Sequence, residues 1–236
     1  MLILAVILAV FFATFTQSVV GFGTAMVGMP LLVELLGLPV AAPLVALLGL
    51  VLELIMLAYY RQTITLRAML PMILAAAAGI PVGILAVRHL DEQLILTALG
   101  TVILGYALYG LLRLRLPTLR HPLWGIGAAG LAGVLGGAYN TAGPPMIVYG
   151  HCKHWPPEMF RGTLQGFFLF IDVLVTANHA VVGNFTPAVL RMGMVSMLPL
   201  LIGFGVGTHF ARRIDSQAYS RLVLVMLLVL GVRLML

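Results

Sequence analysis

GFGTAMVGMPLLV at residues 21–33 and GGAYNTAGPPMIV at residues 136–148 decide the fold, because at each an apolar helix is told to break. Glycine lets the chain leave helical geometry, and proline removes a backbone donor. The two stretches superpose at a constant offset of 115, which sets Gly21 on Gly136, Gly28 on Gly143 and Pro30 on Pro145. Further along, Pro39 matches Pro156 and Gly49 matches Gly166 at an offset of 117. At an offset of 124, Arg67, Gly79, Gly83, Arg88, Asp91 and Gln93 match Arg191, Gly203, Gly207, Arg212, Asp215 and Gln217. The order is kept, and Arg, Asp and Gln are not bulk residues of apolar segments, so duplication explains the matches better than chance. The chain reads as a single domain over 1–236, with a first repeat at about 1–115 and a second at about 120–236.

Around these breaks the chain is too apolar for water. Its 236 residues are 62% hydrophobic and 8% charged, with a mean hydropathy of +1.13, whereas soluble domains carry about a quarter charged residues. Apolar runs of roughly 20 residues, each able to cross about 30 Å of hydrocarbon, recur along its length. They predict an all-α polytopic membrane protein with spans at 2–36 (broken at 21–23), 41–60, 68–87, 93–112, 122–150 (broken at 136–145), 162–182, 192–211 and 217–236. That makes about eight transmembrane segments in two homologous four-segment halves, with Gly/Pro-broken helices at corresponding positions. The net charge of +6 sits in short connections, which points to a membrane and not to nucleic acid. With eight simple crossings, Arg61, Arg67, Arg113, Arg115, Arg120, Arg191 and Arg233 fall on one side and Arg88, Lys153, Arg161, Arg212, Arg213 and Arg221 on the other. Such an even split fixes no orientation, and discounting Arg161 and Arg221 as helix residues leans it toward a cytoplasmic N-terminus. Four crossings per half make the repeats parallel; a broken segment that re-enters makes the count odd and the repeats inverted.

Duplicated breaks in duplicated halves point to a transporter's central site. Backbone N–H groups freed at the start of a half-helix, with the positive end of its dipole, bind an anion without a fixed cation. The substrate-binding residues expected on this basis are Gln17, Ser18, Gly21, Gly23 and Thr24 in the first half, and Gly136, Gly137, Asn140, Thr141 and Gly143 in the second. The competing role for such small residues is close helix packing. A second constellation lies in the sixth span, where Arg161, Gln165, Asp172, Thr176 and His179 fall within roughly 60° on a helical wheel. A charge placed alone at mid-membrane costs about 2.5–3.5 kcal/mol on insertion scales, so such a stripe faces a cavity or a partner. Arg161 and Gln165 are expected to contact substrate, and Asp172, His179 and the intramembrane Glu53 are candidates for proton coupling. His151-Cys-Lys-His154 is not a zinc spacing, and GxSxG, HExxH, P-loop and CxxC motifs do not occur, so neither an enzyme nor a metal or other cofactor is expected.

The run from Gly21 to Pro30, the run Gly130-Leu-Ala-Gly133-Val-Leu-Gly136-Gly-Ala leading to Gly143-Pro-Pro145, and Arg161 at the head of a helix resemble the TauE/SafE sulfite exporters, also called four-toluene-sulfonate uptake permeases. The resemblance covers nearly the whole chain. It implies a prokaryotic inner-membrane secondary carrier for sulfite, sulfonates or related organosulfur anions. The expected partners are a small anionic substrate and membrane lipid, and a homo-oligomer is compatible with the sequence. Two other functions fit these residues: a carrier or channel for another small anion, and a membrane-embedded sulfur-relay protein using Cys152, the chain's one cysteine, as nucleophile or persulfide carrier.

Overall fold

In hydrocarbon every backbone polar group must bond within its own segment, which favours helices. The computed structural model describes residues 1–60, 66–112, 118–119, 121–211, 213 and 216–235. Among these residues there are ten helices and no strand: α1 (Leu2–Val20), α2 (Thr24–Leu36), α3 (Leu38–Tyr60), α4 (Leu66–His89), α5 (Glu92–Leu112), α6 (Leu123–Tyr139), α7 (Gly143–Cys152), α8 (Pro157–Val182), α9 (Pro187–Phe210) and α10 (Ser216–Met235). Six of them, α1, α3, α4, α5, α8 and α9, contain stretches long and apolar enough to cross a membrane. Leu70, Leu74, Leu198, Ile202, Val225 and Val229 point outward and are exposed, an apolar girdle suited to lipid.

Each of the two broken spans is a pair of helices. The first is α1 and α2, parted at Gly21 (φ 92°) and Gly23 (φ 138°), conformations that only glycine adopts without strain. The second is α6 and α7, parted at Asn140, which takes a left-handed φ of 55°. In both, the second helix folds back along the first. A Cβ built on Gly28 would lie 3.3 Å from the Cβ of Ala13, whereas fifteen residues along one continuous helix cover about 22 Å. Likewise Tyr149 of α7 reaches back to Gly125 of α6, its hydroxyl 2.7 Å from where a Cβ on that glycine would stand.

The remaining directions follow from close contacts. Gly49 faces Asp172, and the Thr176 hydroxyl donates to the Ala46 carbonyl at 3.1 Å, so α3 and α8 run antiparallel. Gly100 meets Gly231 and Gly110 meets Leu224, so α5 and α10 are antiparallel too. In contrast α4 and α6 run parallel. At Gly79, Gly83, Gly133 and Gly137 of that seam a Cβ would fall 2.0–2.3 Å from a facing carbonyl oxygen. Parallel as well are α1 and α9, where Gly203 and Gly207 press on Phe11, Thr14, Phe15 and Ser18. Exchanging α1–α5 for α6–α10 turns the α1–α9 seam into α6–α4, α2–α10 into α7–α5 and α3–α9 into α8–α4, and all of these pairs are in contact. It leaves α3–α8 and α5–α10 as they are. The end of the bundle where α1 begins is here called the near face, and the end where α6 begins the far face.

Candidate functional site

The tips of the two hairpins meet in one cavity, with an empty volume of about 480 Å³. About 40 Å³ of it is open to the centres of water-sized groups, where one water needs about 10–15 Å³; the space suits a few water-sized groups. The first tip contributes Phe22 and Gly23 and the first turn of α2, Thr24 to Met26. The second contributes Asn140, Thr141, Ala142 and Gly143. From α3 come Val45, Gly49 and Glu53, from α8 Phe168, Ile171 and Asp172, and from α1 Gln17.

The cavity mixes polar side chains in its lining, Gln17, Thr24, Asn140 and Thr141 among them, with apolar ones such as Phe22, Val45, Phe168 and Ile171. Both α2 and α7 begin at it, and neither is capped by the side chain of its own N-cap residue, Gly23 or Ala142. The first four N–H groups of a helix have no partner within it, so both starts present donors and a partial positive charge. The two starts differ. Pro144 and Pro145 follow Gly143 in the first turn of α7 and carry no N–H, whereas Thr24, Ala25 and Met26 of α2 each have one.

Against these donors stand two carboxyl groups, Glu53 and Asp172, and no Lys or Arg lines the cavity among the described residues. Gln17, which is 3% exposed, connects one carboxyl to the tip. Its side-chain oxygen accepts from the Thr24 backbone N–H at 2.8 Å, and its amide nitrogen donates to Glu53 Oε1. Further side chains tie the tips to the scaffold: Gln165 of α8 donates to the Gly21 carbonyl at 3.2 Å, and Asn140 donates to the Ala42 carbonyl of α3 at 2.8 Å. Buried polar groups are normally satisfied. Here Thr24 Oγ1, Glu53 Oε2, Asn140 Oδ1 and Gln165 Oε1 are buried without a protein partner.

Of the residues expected from sequence, Gln17, Gly23, Thr24, Asn140, Thr141, Gly143, Glu53 and Asp172 line this space. Gly21 and Gln165 support it through the bond between them, and the Gly136 carbonyl accepts from the Asn140 N–H at 2.9 Å. Ser18 and Gly137 are not in the cavity lining and pack against Gly207 of α9 and Ile80 of α4. His179 lies about two helical turns from Asp172 and shares a hydrogen bond with Asn184 at 2.9 Å. Arg161 is the fifth residue of α8, and its side chain is outside the described residues. Phe22, Gly49, Met26 and Phe168 line the cavity without having been expected. The one available signal was Gly49 four residues before Glu53, which places both on one helix face.

A second hollow, with about 370 Å³ open to the centres of water-sized groups, lies between the cavity and the far face. Tyr106 and Tyr109 of α5, His151 of α7, Phe160 of α8 and the start of α10 line it, and Phe22 borders both spaces. The Phe22 and Tyr106 rings meet edge to face at 5.9 Å, and Tyr109 and His151 close on each other at 3.3 Å. Toward the near face, the corresponding ends of α2 and α10 are joined by an ion pair, Arg233 to Glu34 at 2.7 Å. Cys152, next to His151, is 3% exposed, whereas a sulfur relay needs an accessible thiolate.

No curated protein and no solved structure is significantly similar to the chain. One family description, sulfite exporter TauE/SafE, matches residues 6–234, nearly the whole length. With its apolar helices, its outward apolar girdle and this match, the protein is an integral membrane protein that belongs to the TauE/SafE sulfite exporter family.

Proposed function

We propose that this protein is a secondary transporter that carries a sulfur oxyanion or small sulfonate together with protons, by alternating access around the cavity between the hairpin tips. The observation that carries this reading is the pairing, in one cavity, of helix N-termini with two carboxyl groups and, among the described residues, no Lys or Arg. The helix starts favour an oxyanion. Ionised carboxyls oppose it: two like charges 4 Å apart repel by about 4 kcal/mol at an effective dielectric of 20. An anion therefore enters readily only when protons neutralise Glu53 and Asp172, and substrate and protons move as one load.

Alternating access is supported by the helix directions. A hairpin returns to the face it left, so each half has one hairpin and three further helices, an odd number of crossings, and the halves are inverted with respect to each other. The packing pairs that survive exchange of the halves fit this arrangement. So do the seams made by Gly79 and Gly83 in one half and by their offset-124 counterparts Gly203 and Gly207 in the other. The two faces then differ in state: a hollow lies toward the far one, and the Glu34–Arg233 pair ties the near one. Arg233 is well exposed, and an exposed pair contributes only about 0.2–1 kcal/mol, weak enough to open in each cycle.

The test is flux in proteoliposomes with sulfite, thiosulfate, methanesulfonate and small carboxylates, with and without a pH gradient. Saturable uptake that a proton gradient drives uphill is expected. A current linear in voltage with no saturation would mean a channel, and uptake that weakens on acidification would mean a cation held by ionised carboxyls. No flux of any of these solutes overturns the proposal.

A further inference from the structure

Gln17 links the two charge systems of the cavity, and its orientation is not free. A backbone N–H can only donate, so the side-chain atom 2.8 Å from the Thr24 nitrogen must be the amide oxygen. The amide nitrogen then faces Glu53, and the Glu53 oxygen that it meets, Oε1, must accept. Any proton on this carboxyl is thereby directed to Oε2. That atom is buried and has no protein partner, and its residue lines the cavity beside the start of α2.

We infer that Gln17 is a positioning residue that assigns the proton of Glu53 to Oε2, so that the protonated carboxyl becomes an O–H donor to a bound oxyanion next to the Ala25 and Met26 amides. The inference rests on the proposed transport function. Deprotonated, Oε2 is a negative acceptor in the same place and turns the oxyanion away. Gln17 thus makes one carboxyl act as both gatekeeper and ligand, and it holds Oε1 and the Thr24 N–H out of the exchange. Among the described titratable groups on elements packed against α3, Asp172 of α8 shares the cavity with Glu53. Glu34 of α2 is paired with Arg233, His179 is bonded to Asn184, and Arg191 and His209 of α9 are exposed.

The experiment is infrared spectroscopy of the whole purified protein in nanodiscs, ligand-free, from pH 5 to 8. The carboxylic acid C=O band of Glu53 is identified by its disappearance in Glu53→Gln. In the native protein that carbonyl is Oε1 and accepts from Gln17, so in Gln17→Met its band is expected to move to higher wavenumber. Gln17→Asn, one methylene too short to bridge, carries the same expectation where the methionine variant does not fold. A band that stays in place in the variant, or no Glu53 acid band at any pH, overturns the assignment. Binding is measured in parallel by calorimetry with methanesulfonate, whose charge is constant over this range. Wild-type affinity is expected to rise as pH falls, by up to about tenfold per unit for each proton taken up, and the slope to be smaller in Gln17→Met. An unaltered slope counts against Gln17. Absence of wild-type binding to methanesulfonate, sulfite and sulfate, with the infrared shift present, overturns the transport reading alone.

Discussion

A methyl group is the smallest change the site can register at Gly49. A Cβ there would stand 2.7 Å from Asp172 Oδ2, too close for van der Waals contact, so the carboxyl or the α3–α8 seam must shift. Gly49→Ala is expected to cost about 1–3 kcal/mol, the usual penalty of overpacking, and to lower flux by more than its abundance falls, as thermal melting beside liposome uptake will measure. The coupling candidates separate in the same way. Asp172 lines the cavity and His179 is bonded to Asn184 at the end of its helix, so Asp172→Asn is expected to flatten the pH dependence of uptake and His179→Gln to leave it. Polar residues in apolar surroundings stand out in a sequence, which is why Gln17, Thr24, Asn140, Glu53 and Asp172 were legible. Phe22 and Phe168 were not, because an apolar residue in an apolar helix has no contrast. Ser18 and Gly137 illustrate the converse: a small residue beside a break looks the same whether it faces a ligand or a neighbouring backbone.

At the scale of elements, the sequence marked where each hairpin turns but not which way the chain goes afterwards. Glycine and proline end a helix without setting the direction of the next one, and direction depends here on contacts such as Ala13 with Gly28. This geometry can be trapped. In a Cys152→Ala background, the pair Ala13→Cys and Gly28→Cys is expected to oxidise to a disulfide, since the Cβ separation of 3.3 Å is close to the roughly 3.5–4.5 Å that the bond spans. Mobility on a gel after mild oxidation and protease cleavage reads the result; a continuous helix would give none. Gly23 tests the tip itself. A side chain there meets both the φ of 138° and the Thr16 methyl at 2.9 Å, so Gly23→Ala is expected to destabilise by about 1–3 kcal/mol and to abolish uptake before it abolishes folding.

For the whole molecule, the hairpins alter the count of crossings, and the count alters where every connection lies. If each hairpin returns, the connections α3–α4, α5–α6, α7–α8 and α9–α10 are on the far face, and both termini with α4–α5 and α8–α9 are on the near one. Asp91→Cys, in the α4–α5 connection, is then expected to react with an impermeant maleimide from the same side as a tag on Met1; eight simple crossings would put them on opposite sides. The charges that had split evenly now sort themselves. Of the 13 Lys and Arg residues, Arg88, Arg191 and Arg233 belong in sequence to near-face helix ends, and the rest to the far-face connections and the helix starts beside them. Positive charge gathers on the cytoplasmic side of membrane proteins, so the expected outcome of a sidedness assay is that an impermeant reagent added from outside labels Asp91→Cys and the Met1 tag. With that outcome the aromatic hollow behind Phe22 would open to the cytoplasm, and a solute on its way out would meet one phenyl ring before the carboxyls and the Glu34–Arg233 pair after them.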